Sequence, residues 1–80
     1  MTENIKKITA AIEAKGFETT PTHIKDGASV RVMTRTTVFN FYDEGNGIIR
    51  MIKGKKASLD AVMRNRTMAD TIKYINRYVK

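Results

Sequence analysis

Residues 28–53, ASVRVMTRTTVFNFYDEGNGIIRMIK, decide the fold. Large apolar residues alternate with polar ones along three short runs of this stretch, which is the period-two pattern of strands that bury one face. The runs cover residues 28–34, 37–43 and 47–53. Arg35-Thr36 and Glu44-Gly45-Asn46 separate them, so we expect consecutive antiparallel hairpins with a two-residue turn and a three-residue loop.

A further strand is expected ahead of this stretch, over residues 17–25. Pro21 cannot donate to a strand ladder, which places this strand at an edge of the sheet. Asp26-Gly27 suits a two-residue type I′ turn into the next strand. With these turns, one face of the sheet collects the large apolar residues: Phe17, Val30, Val32, Phe39, Phe41, Ile49 and Met51.

The opposite face of this predicted sheet is mixed in character. The same register predicts one cross-strand row of polar and basic residues, Thr22, Arg31, Asn40 and Arg50. A second row holds Ser29, Tyr42 and Ile48. A third row is largely apolar and consists of Thr20, Met33, Val38 and Ile52.

A helix is predicted before the sheet, over residues 3–15, because Ile5, Ile8 and Ile12 recur at helical spacing. Thr2 or Asn4 suits its start, and Gly16 suits a left-handed end.

After the sheet, Ser58 suits the cap of a short helix holding Leu59, Val62 and Met63. Thr67 suits a second cap, followed by an apolar stripe at helical spacing: Met68, Ile72, Ile75 and Val79. The pattern leaves open whether residues 58–79 form one helix or two. The predicted architecture is a single α+β domain over residues 1–80, with an N-terminal helix, a four-stranded antiparallel β-meander, and one or two C-terminal helices packed on one face of the sheet.

Composition argues against most catalytic and metal-binding functions. The 80 residues include no cysteine and one histidine, His23. Disulfides and thiolate metal sites are therefore excluded, and no nucleophile–base arrangement can be proposed from spacing. We expect a non-enzymatic protein without a cofactor. The first 16 residues lack a signal-peptide pattern and no run is apolar enough to span a membrane, so a cytoplasmic protein with no membrane partner is expected, as a monomer or a small homo-oligomer.

The net charge of +7 is unevenly distributed. Residues 1–27 are neutral, whereas residues 28–57 hold six basic and two acidic groups, and residues 58–80 hold five and two. Such an asymmetry favours a polyanion or an acidic protein as the partner, although it also improves solubility.

Three groups of residues are candidates for contact with nucleic acid. Lys53, Lys55 and Lys56, beside Gly54, suit a phosphate-contacting loop that leads into a helix; a solvated turn protecting a sheet edge is the alternative. Arg31, Asn40, Arg50 and Tyr42 suit a sheet platform, with arginines for phosphates and Asn40 and Tyr42 for bases; an ordinary hydrated face is the alternative.

The third group lies on the final helix, where Lys73, Arg77 and Lys80 share a stripe near Tyr74 and Tyr78. For this group the spacing favours cations that offset the helix dipole.

The leading hypothesis is therefore a nucleic-acid-binding protein, of DNA or RNA, that uses a basic sheet face and a lysine–glycine loop. The second is a small regulator or inhibitor, of the kind viruses and mobile elements encode, that docks on an acidic protein through Met33, Val38 and Ile52. The third is a ribonuclease dependent on His23.

Two known families resemble parts of the chain. The layout of a leading helix, an antiparallel sheet and a trailing helix resembles the double-stranded-RNA-binding domain, and Gly54-Lys55-Lys56-Ala57 is similar to the basic helix start of that family. The resemblance implies RNA binding, and the extra strand and second C-terminal helix depart from it. Residues 11–17 (AIEAKGF) are similar to the first helix of small toxin ribonucleases of the HicA type, but His23 lies in Pro-Thr-His rather than in that family's glycine-serine-histidine context.

Overall fold

A computed structural model describes residues 1–22, 27–56 and 61–80. The described elements are an N-terminal helix, five strands and a C-terminal helix. The strands form one antiparallel sheet, in which they lie side by side in sequence order. The elements are α1 (Glu3–Glu13), β1 (Thr19–Thr20), β2 (Ser29–Met33), β3 (Thr37–Gly45), β4 (Ile48–Lys55), β5 (Ala61–Thr67) and α2 (Met68–Tyr78). The predicted α+β class is confirmed, and the prediction of four strands is wrong.

Helix α1 begins and ends at the predicted signals. Thr2 is its N-cap, and its hydroxyl accepts a hydrogen bond of 3.2 Å from the backbone N–H of Ile5. This bond satisfies one of the amides that a helix start leaves without a partner. Gly16, just beyond the helix, adopts a φ of +89°, which glycine reaches without steric cost and which turns the chain towards β1.

The core lies between one face of the sheet and the two helices. The predicted apolar face is confirmed, because its strand residues are all buried and Phe17 packs against them. The helices complete the core with the three isoleucines of α1 and with Ile75 and Val79 of α2. Burying a side chain of this size stabilises the fold by about 1.5–3 kcal/mol. The full buried cluster is Ile5, Ile8, Ile12, Val30, Val32, Phe39, Phe41, Ile49, Met51, Ile75 and Val79.

The hairpin between β3 and β4 differs from the predicted three-residue loop. Its turn is Asn46-Gly47, with φ values of +54° and +75°, as a type I′ turn requires at both central residues. A register irregularity between Asp43 and Gly45 takes up the extra residue ahead of the turn. Pairing between β3 and β4 is therefore displaced by two residues from the prediction, which changes every partner across these two strands but leaves the side chains on their predicted faces. The predicted register between β2 and β3 is confirmed.

Strand β1 is much shorter than the predicted strand over residues 17–25. It pairs Thr20 with Arg31, whereas the prediction paired Thr22 with Arg31. The predicted Asp26-Gly27 turn lies partly outside the described residues, as does the rest of that strand. Gly27 has a φ of +78°, and its carbonyl accepts a 2.7 Å hydrogen bond from the backbone N–H of Thr2.

Strand β5 replaces the predicted helix around Val62 and Met63. The spacing of those apolar residues fits a helix and a strand equally well, so tertiary context decides. Strand β4 is eight residues long, and β5 pairs with seven of them, which satisfies an edge that a four-stranded sheet would leave open. Ser58 and Leu59 lie outside the described residues.

Helix α2 is a single helix that starts at its predicted cap, since the Thr67 hydroxyl accepts a 3.2 Å hydrogen bond from the N–H of Asp70. Its C-terminal end is held by Lys15, two residues beyond the end of α1. The Lys15 ammonium donates to the carbonyls of Ile75 (2.9 Å) and Asn76 (2.8 Å). A cation at this position compensates both the unpaired carbonyls and the helix dipole.

Candidate basic cleft

The sheet divides the residues predicted to bind nucleic acid between its two faces. Arg31, Asn40, Tyr42 and Arg50 lie on the face that the helices do not cover, which we call the outer face. Lys53 and Lys55 lie on the helix face, because they pair with Phe39 and Thr37 in β3. The structure therefore does not bring the predicted sheet platform and the predicted lysines onto one surface.

The prediction of a basic loop is also wrong, because β4 continues through Lys55. Lys56 follows the strand and donates its backbone N–H to the carbonyl of Thr36 (3.1 Å). Gly54, Lys55 and Lys56 thus end a strand and do not begin a helix, unlike the double-stranded-RNA-binding domain. Ala57, the last residue of that motif, lies outside the described residues.

The outer-face cations already have partners. Arg31 Nε donates to Asn40 Oδ1 at 2.9 Å, and the predicted pairing of these two residues is confirmed. Arg50 does not join them: it pairs with Tyr42, lies 5.0 Å from the centre of that ring, and forms a 2.9 Å ion pair with Glu44. Tyr42 is only 5% exposed and therefore offers little ring surface to a base.

The outer face also carries exposed apolar side chains. Met33 is 54% exposed and pairs with the partly buried Val38. Ile52, expected beside this pair, instead lies opposite Asn40 on one side and Met63 on the other, and Met63 is 60% exposed. The predicted apolar row is thus broken: Met33 lies two residues from Arg31 on β2, whereas Met63 lies on β5 and is separated from Asn40 by β4.

On the helix face, residues of β4 and β5 line a cleft to which α2 also contributes. The cleft has a volume of about 680 Å³. Its floor includes the buried Met51, and the ring of Tyr74 from α2 forms part of the opposite side. Four cationic residues line it, namely Lys53, Lys55, Arg64 and Arg66.

Strand geometry explains why these four cations share the cleft. Lys53 and Lys55 are two residues apart on β4, and Arg64 and Arg66 are two apart on β5, so each pair points to one face with Cα atoms about 7 Å apart. Arg64 lies opposite the core residue Met51, which fixes this face as the helix face. No carboxylate lines the cleft within the described residues, and none of the four cations forms an ion pair there.

A second, smaller groove continues from the cleft along α2. Its volume is about 180 Å³, and it shares Arg66 and Tyr74 with the cleft. The rest of the groove is lined by one stripe of α2. This stripe holds one carboxylate, two cations and one tyrosine, namely Asp70, Lys73, Arg77 and Tyr78. The cleft and the groove therefore form a continuous, mainly basic surface, which we call the basic track.

Contacts between aromatic rings and guanidinium groups connect the cleft to the groove. The Arg66 guanidinium lies 4.4 Å from the centre of the Tyr74 ring, within cation–π range. Tyr74 also meets Phe39 edge-on at 6.1 Å and Tyr78 at 4.7 Å. Arg77 lies 5.5 Å from the centre of the Tyr78 ring, which is half exposed.

Sequence reasoning missed Arg64 and the role of Arg66 because it assigned their segment to helices. The local pattern gave little signal for this strand, because three apolar residues, 61–63, are followed by three polar ones, 64–66, without the alternation typical of a half-buried strand. Lys53 and Lys55, predicted to contact phosphates, both line the cleft, although the strand and the face that carry them were not predicted. Their role in binding stays a prediction.

His23 lies outside the described residues, so the ribonuclease hypothesis stays a prediction. Among residues 1–22, 27–56 and 61–80, no three histidine or carboxylate side chains are grouped to hold a metal ion. Neither described helix is long and apolar enough to cross a membrane. No protein-family model matches the chain, and comparisons with curated proteins and with solved structures found no significant match.

Proposed function

We propose that this protein binds nucleic acid without catalysing a reaction, and that the basic track contacts the phosphates. One observation carries the proposal: four cations surround a cleft to which no described residue contributes a carboxylate. Lysine and arginine neutralise phosphates and release the counterions condensed on the nucleic acid, which supplies most of the affinity that does not depend on sequence.

The arrangement is unfavourable for the protein alone, which supports a ligand of opposite charge. Like charges on neighbouring strand positions repel each other, and Arg64 and Arg66 share a face with Lys53 on the adjacent strand. An anion in the cleft attracts all of these cations and so offsets the repulsion between them. A partly enclosed cleft strengthens that attraction, because its protein walls lower the local dielectric response.

Cations on β5 have a second explanation, since charged residues keep an exposed edge strand from pairing with other chains. Edge protection does not require the cations to face a cleft with an aromatic side. It also makes a different prediction for the variant Arg64→Gln. Loss of edge protection gives aggregation on size-exclusion chromatography, whereas loss of a phosphate contact gives a monodisperse protein with weaker binding.

The proposal is tested by fluorescence anisotropy with labelled DNA and RNA of about 15 nucleotides, from about 50 to 400 mM salt. We expect binding at low salt that weakens steeply as salt rises, with a linear plot of log affinity against log salt. Absence of binding at the lowest salt, or an affinity that does not change with salt, contradicts the proposal. The two nucleic acids also decide between DNA and RNA.

A second candidate function is docking on an acidic protein through the outer face. The observation that favours it is the exposure of Met33 and Met63 on the face that also carries Arg31, because methionine and arginine are enriched at protein interfaces. A partner that is retained from nuclease-treated lysate by the wild type, and lost with Met33→Glu while nucleic-acid binding persists, favours this function. We propose a cytoplasmic location for both, which subcellular fractionation tests.

A further inference from the structure

We infer that the nucleic acid bound by the basic track is single-stranded. The inference rests on the proposed function and adds the class of ligand. It follows from the shape of the basic track, from the spacing of its cations and from the exposed ring of Tyr78.

The size of the cleft argues against a duplex inside it. A recess of about 680 Å³ is in the size range of small-molecule pockets, so a stiff double helix can touch its rim but cannot enter it. A protein element that recognises the bases of a duplex normally projects into a groove of that duplex, as a helix or a β-ribbon does. Here the protein provides the recess and the nucleic acid enters it. Lys53, Arg64 and Arg66 surround this recess, which a flexible single strand can enter.

The spacing of the cations suits an extended phosphate backbone. Residues two apart on a strand lie about 7 Å apart, so Lys53–Lys55 and Arg64–Arg66 form two short rails along neighbouring strands. The basic track then continues past Arg66 to Arg77 on α2. A backbone that follows it covers about four to six nucleotides, at the lower end of the site sizes of single-strand-binding modules.

Tyr78 provides a surface for an unpaired base. Half of this residue is exposed, and the Tyr74 ring, tilted by 37° at 4.7 Å, supports it from one side. Tyr74 is itself contacted by Arg66 and Phe39. Tyr78 is contacted by Arg77, whose guanidinium lies 5.5 Å from the ring centre, but it keeps the larger exposure, so a base can stack on this tyrosine–arginine pair. Bases in a duplex are stacked on their neighbours and cannot use such a ring, whereas unpaired bases stack on aromatic side chains and on arginine planes.

The experiment compares one labelled strand of about 15 nucleotides with the duplex it forms with its complement, at equal salt. We expect the single strand to bind at least tenfold more tightly. Equal or tighter binding of the duplex overturns the inference and leaves the proposed function intact. Absence of binding to both overturns the proposed function itself, so the two failures are distinguishable.

The variant Tyr78→Leu separates stacking from charge, because it removes the ring and changes no charge. We expect it to lose about tenfold in affinity for the single strand, with an unchanged salt dependence, since base stacking is worth roughly 1–3 kcal/mol. Tyr78→Phe restores the ring and is expected to recover the affinity to within about twofold. An affinity of Tyr78→Leu equal to that of the wild type, with its fold verified by circular dichroism, overturns the role of Tyr78.

Discussion

The Arg66 guanidinium lies 4.4 Å from the centre of the Tyr74 ring, and this contact joins the last strand to the last helix. Both residues line the cleft and the groove, so the contact lies at the junction of the basic track. It also explains how α2 keeps an orientation that leaves the cleft open, because the ring contacts Phe39 on the sheet as well.

A double-mutant cycle on Arg66 and Tyr74 measures this contact. Urea denaturation of Arg66→Ala, Tyr74→Leu and the double variant is expected to give a coupling free energy of about 0.5–2 kcal/mol, the range for a partly desolvated cation–π pair. The matched cycle on Arg77 and Tyr78, which are more exposed, is expected to give a smaller coupling. Additive effects for Arg66 and Tyr74 would show that the contact does not stabilise the fold.

Removal of a cleft cation is expected to leave the fold intact or to stabilise it slightly. Arg64→Gln relieves repulsion from Lys53 and Arg66, so the free energy of unfolding is expected to rise by about 0.3–0.5 kcal/mol at low salt. The gain disappears at high salt because the repulsion is screened. Urea denaturation at about 20 and 500 mM salt checks the sign. A loss of more than 1 kcal/mol would mean that Arg64 has a structural role.

The turn between β3 and β4 depends on positive φ at both central residues. Gly47→Ala is expected to lower the free energy of unfolding by about 1 kcal/mol, because alanine is strained at a φ of +75°. Asn46→Gly is the matched control, since glycine accepts the same conformation and is expected to change stability by less than about 0.5 kcal/mol. Equal effects of the two substitutions in thermal melts would contradict the assigned turn.

Lys15 is expected to stabilise the end of α2 from outside that helix. Lys15→Met keeps the apolar stem and removes two hydrogen bonds to the carbonyls of Ile75 and Asn76. The expected loss is about 1 kcal/mol, since the ammonium is only partly buried. Lys7→Met on the exposed side of α1 is the control, with an expected change below about 0.5 kcal/mol. Equal chemical denaturation curves for the two variants would rule out the cap.

The sequence predicted which side of the sheet is buried more reliably than which residues lie opposite each other. Side chains alternate with period two, so a register displaced by two residues between β3 and β4 kept Phe39 and Ile49 on the core face although their predicted partners across these two strands were wrong. The displacement itself came from choosing Glu44-Gly45-Asn46 as the loop over Asn46-Gly47. Both candidate turns contain glycine. The one local feature that favours the second is that asparagine, at position 46, tolerates a positive φ.

The basic track was predicted only in part, because it depends on β5. Val62 and Met63 lie beside Leu59 at a spacing that fits a helix, and pairing with the open edge of β4 decided for a strand. A helix over this segment would not be expected to place Arg64 and Arg66 beside Lys53. Long-range strand pairing leaves a weak local signal, and here the site is built on one such pairing.

The salt dependence of binding by a cleft variant tests the central claim most directly. Each lost phosphate contact on a single strand lowers the slope of log affinity against log salt by about 0.7. The double variant Lys53→Gln/Arg64→Gln is therefore expected to lower the slope by about 1.4, whereas Lys7→Gln, on a helix that contacts neither β4 nor β5, leaves it unchanged. A double variant that binds with the wild-type slope would show that the cleft does not hold the phosphates.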